Sequence, residues 1–164
     1  HQMTRRGGGD LSGGAGGSTS ATGGGGSTAS SSSGGEVPTG SAALVPWLEA
    51  GSYTGWTTEA DVHESTGPHF GNVKVFVNDT LKASLDAGNS EHPVGSAAVK
   101  ELYGNGTTIG GWSVSLKTAA GTDGTSWYWF EDYNGQNFAD GNGVSLCTNC
   151  HGGGTDFFLS PYPL

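Results

Sequence analysis

The chain is short of the residues that most metal, redox and nucleic-acid sites are built from. Of its 164 residues, two are cysteine and one is methionine. Arginine occurs only as Arg5 and Arg6, and lysine only as Lys74, Lys82, Lys100 and Lys117. So few cations, against 15 Asp and Glu, argue against nucleic acid as a partner, because phosphate binding needs basic surface. A basic partner protein suits this charge better. No apolar run is long enough to cross a membrane as a helix, and no signal peptide is recognisable.

What is present is unevenly distributed. Residues 7–40 are almost entirely Gly, Ser, Thr and Ala, a composition that buries no apolar surface. The expected organisation is a disordered Gly/Ser/Thr-rich tether over residues 1–40 and one folded domain over 41–164. The irregular mixing of Ser, Thr and Ala favours a natural tether over an expression linker. The glycine run at 23–26 is not followed by Lys-Ser/Thr, so it is no phosphate loop.

Both cysteines fall in one string, Cys147-Thr-Asn-Cys150-His151. Cys-x-x-Cys-His is the attachment signature of a c-type haem. Two sulfurs three positions apart on one turn can add to the two vinyl groups, and the histidine that follows becomes the proximal iron ligand. The alternatives are a zinc site, a redox dithiol and a plain disulfide. Zinc usually takes four ligands, and a second Cys-x-x-Cys is absent. A thioredoxin-type dithiol needs a strand–helix parallel-sheet setting that does not precede Cys147. The reading is therefore one covalent haem c on Cys147 and Cys150 with His151 on the iron. Such haems are assembled outside the cytoplasm, so the expected location is periplasmic or at the cell surface.

The periodicity predicts a mainly β, α+β fold, an antiparallel sheet with one or two short helices packed around the haem. Residues 43–50 read as a helical turn with Leu44, Trp47 and Leu48. Residues 71–78 alternate as a strand, with Val73, Val75 and Val77 opposite Lys74 and Phe76. Asn78 caps a helix carrying Leu81 and Leu85, which stops at Gly88. A strand over 95–103 puts Lys100 on a face with Ala98 and Leu102, and Glu101 with Val99 and Tyr103. Gly104-Asn105-Gly106 reads as a hairpin turn into a strand over 107–118. Residues 127–133 are aromatic on both faces, as in a central strand. A glycine-rich loop then leads to Cys147, and the tail 156–164 reads as extended.

A low-spin electron carrier needs a strong sixth ligand, usually Met or His. Met3 lies beyond the tether, and His63, His69 and His92 sit in polar or Pro/Gly text that reads as solvated surface. An open or water-bound sixth position is the expectation. Lys100, on an apolar strand face, must reach water along its stem or find a partner.

The order of segments resembles the cytochrome P-460 family. The resembling text is Gly95-Ser-Ala-Ala-Val-Lys-Glu-Leu102, Gly111-Trp-Ser-Val-Ser-Leu-Lys117, Ser126-Trp-Tyr-Trp-Phe130, Cys147-Thr-Asn-Cys-His151, and Thr155-Asp156 leading to Pro161-Tyr162. The likeness runs from about Val73 to the end, and more loosely from Tyr53. It implies an antiparallel sheet over the haem, a covalent bond from Lys100 to a meso carbon, and oxidation of hydroxylamine or a similar small nitrogen compound at an open iron. Electrons would pass to a redox partner protein. The chain departs from the family at Ser113, where some members carry a distal glutamate that takes protons from substrate. Glu101, Glu131 and Asp132 are the candidate substitutes, each also readable as a solvated surface acid. Related cytochromes c′-beta lack the lysine link and bind nitric oxide or carbon monoxide. A gas-binding cytochrome walled by Phe76, Trp112 and Trp129 is therefore the alternative. A tethered electron-transfer cytochrome is the third reading.

Overall fold

The computed structural model describes residues 35–164, and Met3 and most of the expected tether lie outside the described residues. Val37 is buried in the core and the Gly40 N–H donates to the Tyr128 hydroxyl at 2.9 Å, so the folded unit begins ahead of residue 41.

Among the described residues the fold is a seven-stranded antiparallel sheet with three short helices. In chain order the elements are α1 (Ser41–Glu49), β1 (Thr57–Thr58), β2 (His63–Glu64), β3 (Asn72–Val77), α2 (Asp79–Asp86), β4 (Ala97–Gly104), β5 (Gly111–Lys117), β6 (Trp127–Tyr133), β7 (Gln136–Asn142) and α3 (Ser145–His151). The spatial order is β1-β3-β4-β5-β6-β7, with β2 also pairing β3. No described helix is long and apolar enough to cross a membrane.

Strict alternation along β3 to β6 gives the sheet two different faces. On one, Phe76, Val99, Val114, Tyr128 and Phe130 pack with Leu44 and Leu48 of α1 and with Tyr53. On the other, Val75 and Val77 meet Leu81 of α2 and Phe158, while Trp127, Trp129 and Ala139 meet Cys147 of α3. The Asn78 side chain accepts from the Leu81 N–H at 2.9 Å, which caps α2 as its sequence predicts. Gly88, just past the end of α2, has φ of +67°.

Three strand features depart from the sequence reading. The Gly104-Asn105-Gly106 turn is not a tight hairpin: β5 starts only at Gly111, paired with Leu102. Strands β1 and β2 are two residues each, too short to leave a periodic trace. The stretch read as a glycine-rich loop contains β7, an edge strand whose only buried residue is Ala139. Its signal is the Asn134-Gly135 pair, which turns β6 into β7 with φ of +52° and +77°, the two positive values of a type I′ hairpin.

Candidate functional site

Cys147, Cys150 and His151 sit on α3, the two thiols three positions apart and both free. Cys147 is buried against Trp127, Trp129 and Ala139, and Cys150 is exposed. Burial pushes the Cys147 thiol up to about 12. His151 ends the helix. Gly154 folds the following chain back so tightly that a Cβ there would lie 2.1 Å from the Phe158 carbonyl oxygen. The returning chain places the Phe157 carbonyl 2.9 Å from His151 Nδ1. Trp129 packs on the imidazole with ring centres 4.8 Å apart. Burial is the main reason the imidazole's pKa falls to about 4, so it is held neutral. With Nδ1 donating to a carbonyl, Nε2 carries the lone pair, the tautomer a metal-bound histidine needs.

These three residues line a cavity of about 380 Å³. Its walls include Phe70, Val73, Val75 and Phe138. Leu146 and Leu159, both exposed large apolar side chains, also border it. An apolar cleft with two thiols and a neutral imidazole on one side fits a covalently attached haem. A larger cavity of about 820 Å³ begins at Gly35, where the described residues begin. Among the described residues its lining has no cysteine or histidine, so the chemistry belongs to the smaller one.

Sheet register brings the remaining residues together. Val75, Lys100, Ser113 and Glu131 are successive cross-strand partners on β3, β4, β5 and β6. Directly opposed side chains in neighbouring strands share a face and stand about 5 Å apart at Cβ, and all four line the cavity. Lys100 and Ser113 therefore lie on the same cavity as the cysteines and His151. Burial lowers the Lys100 pKa, opposed by Glu131 and Glu59. Burial pushes the Glu131 carboxyl up, but His69, Ser113 and Lys100 together bring it below its ordinary value.

Several side chains sit elsewhere than the sequence reading expects. Glu131 is not a solvated acid: it is buried in the cavity wall. Glu101 is also buried, but on the other face, accepting from the Tyr53 and Tyr103 hydroxyls. Asp132 accepts from the Trp112 N–H at 3.0 Å. Phe76 and Trp112 belong to the α1 side, so of the three aromatics expected around the iron only Trp129 is at the site. His92 is fully buried, with Nδ1 2.8 Å from Ser84 Oγ. His69 is largely buried, lines the cavity, and sits 2.9 Å through Nδ1 from Glu131 Oε2. Only His63 is as exposed as expected.

Comparison with protein-family models and with curated proteins returns no match.

Proposed function

We propose that this chain is a mono-haem c-type cytochrome of the P-460 kind that oxidises hydroxylamine or a similar small nitrogen compound. The observation that carries this reading is one cavity lined at once by Cys147, Cys150, His151 and Lys100. A haem attachment motif alone fits many cytochromes. A half-buried lysine on the cavity wall, in a strand that resembles the P-460 lysine segment, is the more particular feature.

Cys147 and Cys150 would hold the macrocycle and His151 its iron. The bound haem would supply the redox centre that takes electrons from the nitrogen compound and hands them to a partner protein. The chain's own residues set the surroundings. Phe157 fixes the imidazole tautomer through its carbonyl. Burial favours the neutral, nucleophilic amine of Lys100; its bond to a ring carbon would replace one N–H and one C–H, a two-electron oxidation that needs an oxidant of the peroxide class during maturation. Ser113 cannot take a proton at neutral pH, but Glu131 beside it can, and its carboxylate is within reach of the same cavity. The missing distal glutamate of the resemblance thus has a substitute one strand away.

The test is production of the full chain with a c-haem maturation system. Denaturing mass spectrometry should show one attached haem, and the reduced protein should show a Soret band shifted to the red by the lysine link. Hydroxylamine oxidation is then followed with an artificial electron acceptor. An unmodified chain defeats the reading outright. An attached haem with an ordinary c-type spectrum and no turnover leaves a gas-binding or electron-transfer cytochrome. The electron-transfer reading draws support from His69, a second histidine on the cavity that holds His151.

A further inference from the structure

We infer that His69 is the second axial ligand of the iron in the resting protein, opposite His151. The inference rests on the haem reading above. It replaces the open sixth position expected from the sequence with one that a substrate must clear.

Spacing is the first reason. The ring centres of His69 and His151 are 6.1 Å apart and the ring planes are inclined at 72°. Two imidazoles that share one metal along a common axis, each nitrogen about 2 Å from it, have ring centres about 6 Å apart. A distal imidazole that only hydrogen-bonds an atom already on the iron stands further off, because a contact of about 2.9 Å and that atom's own bond replace one coordinate bond. Its ring centre would then be roughly 8 to 9 Å from the proximal one. The observed separation is the one that direct ligation requires, and it is shorter than the spacing set by an intervening atom.

Polar anchoring is the second reason. Metal-bound histidines commonly donate the other ring N–H to a carbonyl or carboxylate. Both imidazoles have such an acceptor at Nδ1, Phe157 O for His151 and Glu131 Oε2 for His69, each at 2.9 Å. Nε2 is thus the nitrogen left for the metal on each ring. The His69 anchor is no loose surface pair, since the two side chains are only 15% and 11% exposed. Glu131 is itself fixed on β6, cross-strand from Ser113.

The chain around His69 is fixed as well. His69 lies in the loop between β2 and β3, which closes with the Ser65 N–H donating to Gly71 O at 2.9 Å. Phe70 stacks on Tyr133 at 4.3 Å with planes 6° apart. Gly71 has φ of +73°, and a Cβ there would come within 2.3 Å of the Gly104 backbone. Only glycine permits that approach, and the approach holds the end of the loop against the sheet. Residues 66–68 of the loop are exposed, which leaves its leading half able to move when a competing ligand takes the iron.

The experiment uses the full chain matured with haem, first checked for the attached haem by mass. Optical and electron paramagnetic resonance spectra of the ferric protein should be low-spin and six-coordinate. His69→Ala should turn them high-spin. His69→Gly should do the same, and added imidazole should restore the low-spin form. If His69 occupies the iron in nine molecules of ten, removing it should raise apparent cyanide affinity about tenfold. A chain without haem defeats the haem reading. Attached haem that is high-spin in the wild type, or low-spin in both variants without imidazole, overturns the assignment of His69 alone. The wild-type spectrum by itself tests that assignment even if a variant fails to accumulate.

Discussion

Lys117 and Asp156 form an ion pair with both side chains wholly out of water, Nζ to Oδ2 2.5 Å. Asp156 Oδ2 also accepts the His92 N–H at 2.7 Å, and Lys117 Nζ donates to Gly121 O at 2.5 Å. The pair therefore ties β5, the loop after it and the chain beyond α3 into one buried polar cluster. Desolvating two charges offsets much of their attraction, so the intact pair is a modest net contributor. Removing one partner is different, because it strands the other charge at a cost of about 3–5 kcal/mol. Asp156→Ala also orphans the buried His92 N–H, which alone costs about 1–3 kcal/mol and overlaps with the first loss. For Lys117→Met we expect about 4 kcal/mol, and for Asp156→Ala the upper end of that range or beyond. With a urea dependence of about 2 kcal/mol per molar, the midpoint falls by about 2 M. Chemical denaturation of the two single variants and the double variant gives the coupling directly, expected at about 2 kcal/mol or more. A midpoint shift under about 0.3 M in either single variant, or additive effects in the double, would refute the reasoning. The consequence reaches the site. Asp156 and Phe157 both adopt positive φ, +43° and +66°, and it is the Phe157 carbonyl that orients His151. Loosening Asp156 releases that carbonyl.

Three further outcomes are expected. If the proposed haem is attached, Lys100→Ala should keep it on both cysteines but return an ordinary c-type optical spectrum; an unchanged spectrum means that Lys100 makes no bond to the ring. In haem-free protein, iodoacetamide at neutral pH should label exposed Cys150 well before Cys147, which is buried with its thiol pushed up to about 12; equal labelling, read by peptide mass, contradicts this packing. Also in haem-free protein, His151 is lowered by burial from 6.5 to about 4, so between those pH values the unfolded chain binds more protons than the folded one. Stability should then rise with pH across that window, and fall by up to about 3 kcal/mol from pH 6.5 to pH 4. Urea titrations of wild type and His151→Gln should differ by that slope, and parallel profiles would show that His151 is not buried as described.

The parts of this fold that are legible in the sequence are those with a local cause. The Val73/Val75/Val77 alternation, the Asn78 cap with Gly88 beyond it, and the doubly aromatic Trp127–Tyr133 strand each follow from one short stretch, and each matches the structure within a residue or two. The Cys-x-x-Cys-His string is local in the same sense, and α3 places it on one turn. What is not legible depends on distant residues. β7 reads as polar loop because an edge strand with a single buried residue carries almost no hydrophobic pattern. His69 and His92 read as surface because Pro, Gly and polar neighbours say nothing about what packs over them. Their partners, Glu131 and Ser84, lie 62 and 8 residues away.

The cavity carboxylate, Glu131, follows the same logic. Scanning position by position finds serine at 113 and leaves Glu101, Glu131 and Asp132 as substitutes with nothing to choose among them. On a sheet, however, a site is a row across strands, and the row here runs Val75, Lys100, Ser113, Glu131. The row depends on register, which depends on loop lengths that the sequence does not display: the turn after β4 is longer than its Gly-Asn-Gly suggests, and the β5–β6 connection contains a short 3-10 turn over Gly124–Ser126. A shift of one residue in the β5–β6 register would pair Ser113 with Phe130 or Asp132 instead and send Glu131 to the other face. The observed register puts the carboxylate on the lysine's face and beside the serine. Ser113→Glu would then place two carboxylates side by side in one buried row. It should depress folding stability and hinder ionisation of Glu131, whereas Glu131→Gln in the wild-type background should remove the acceptor. If the oxidation proposed here occurs, the second substitution should stop it and the first should not improve it. Faster turnover in Ser113→Glu would mean that Glu131 is not the acceptor.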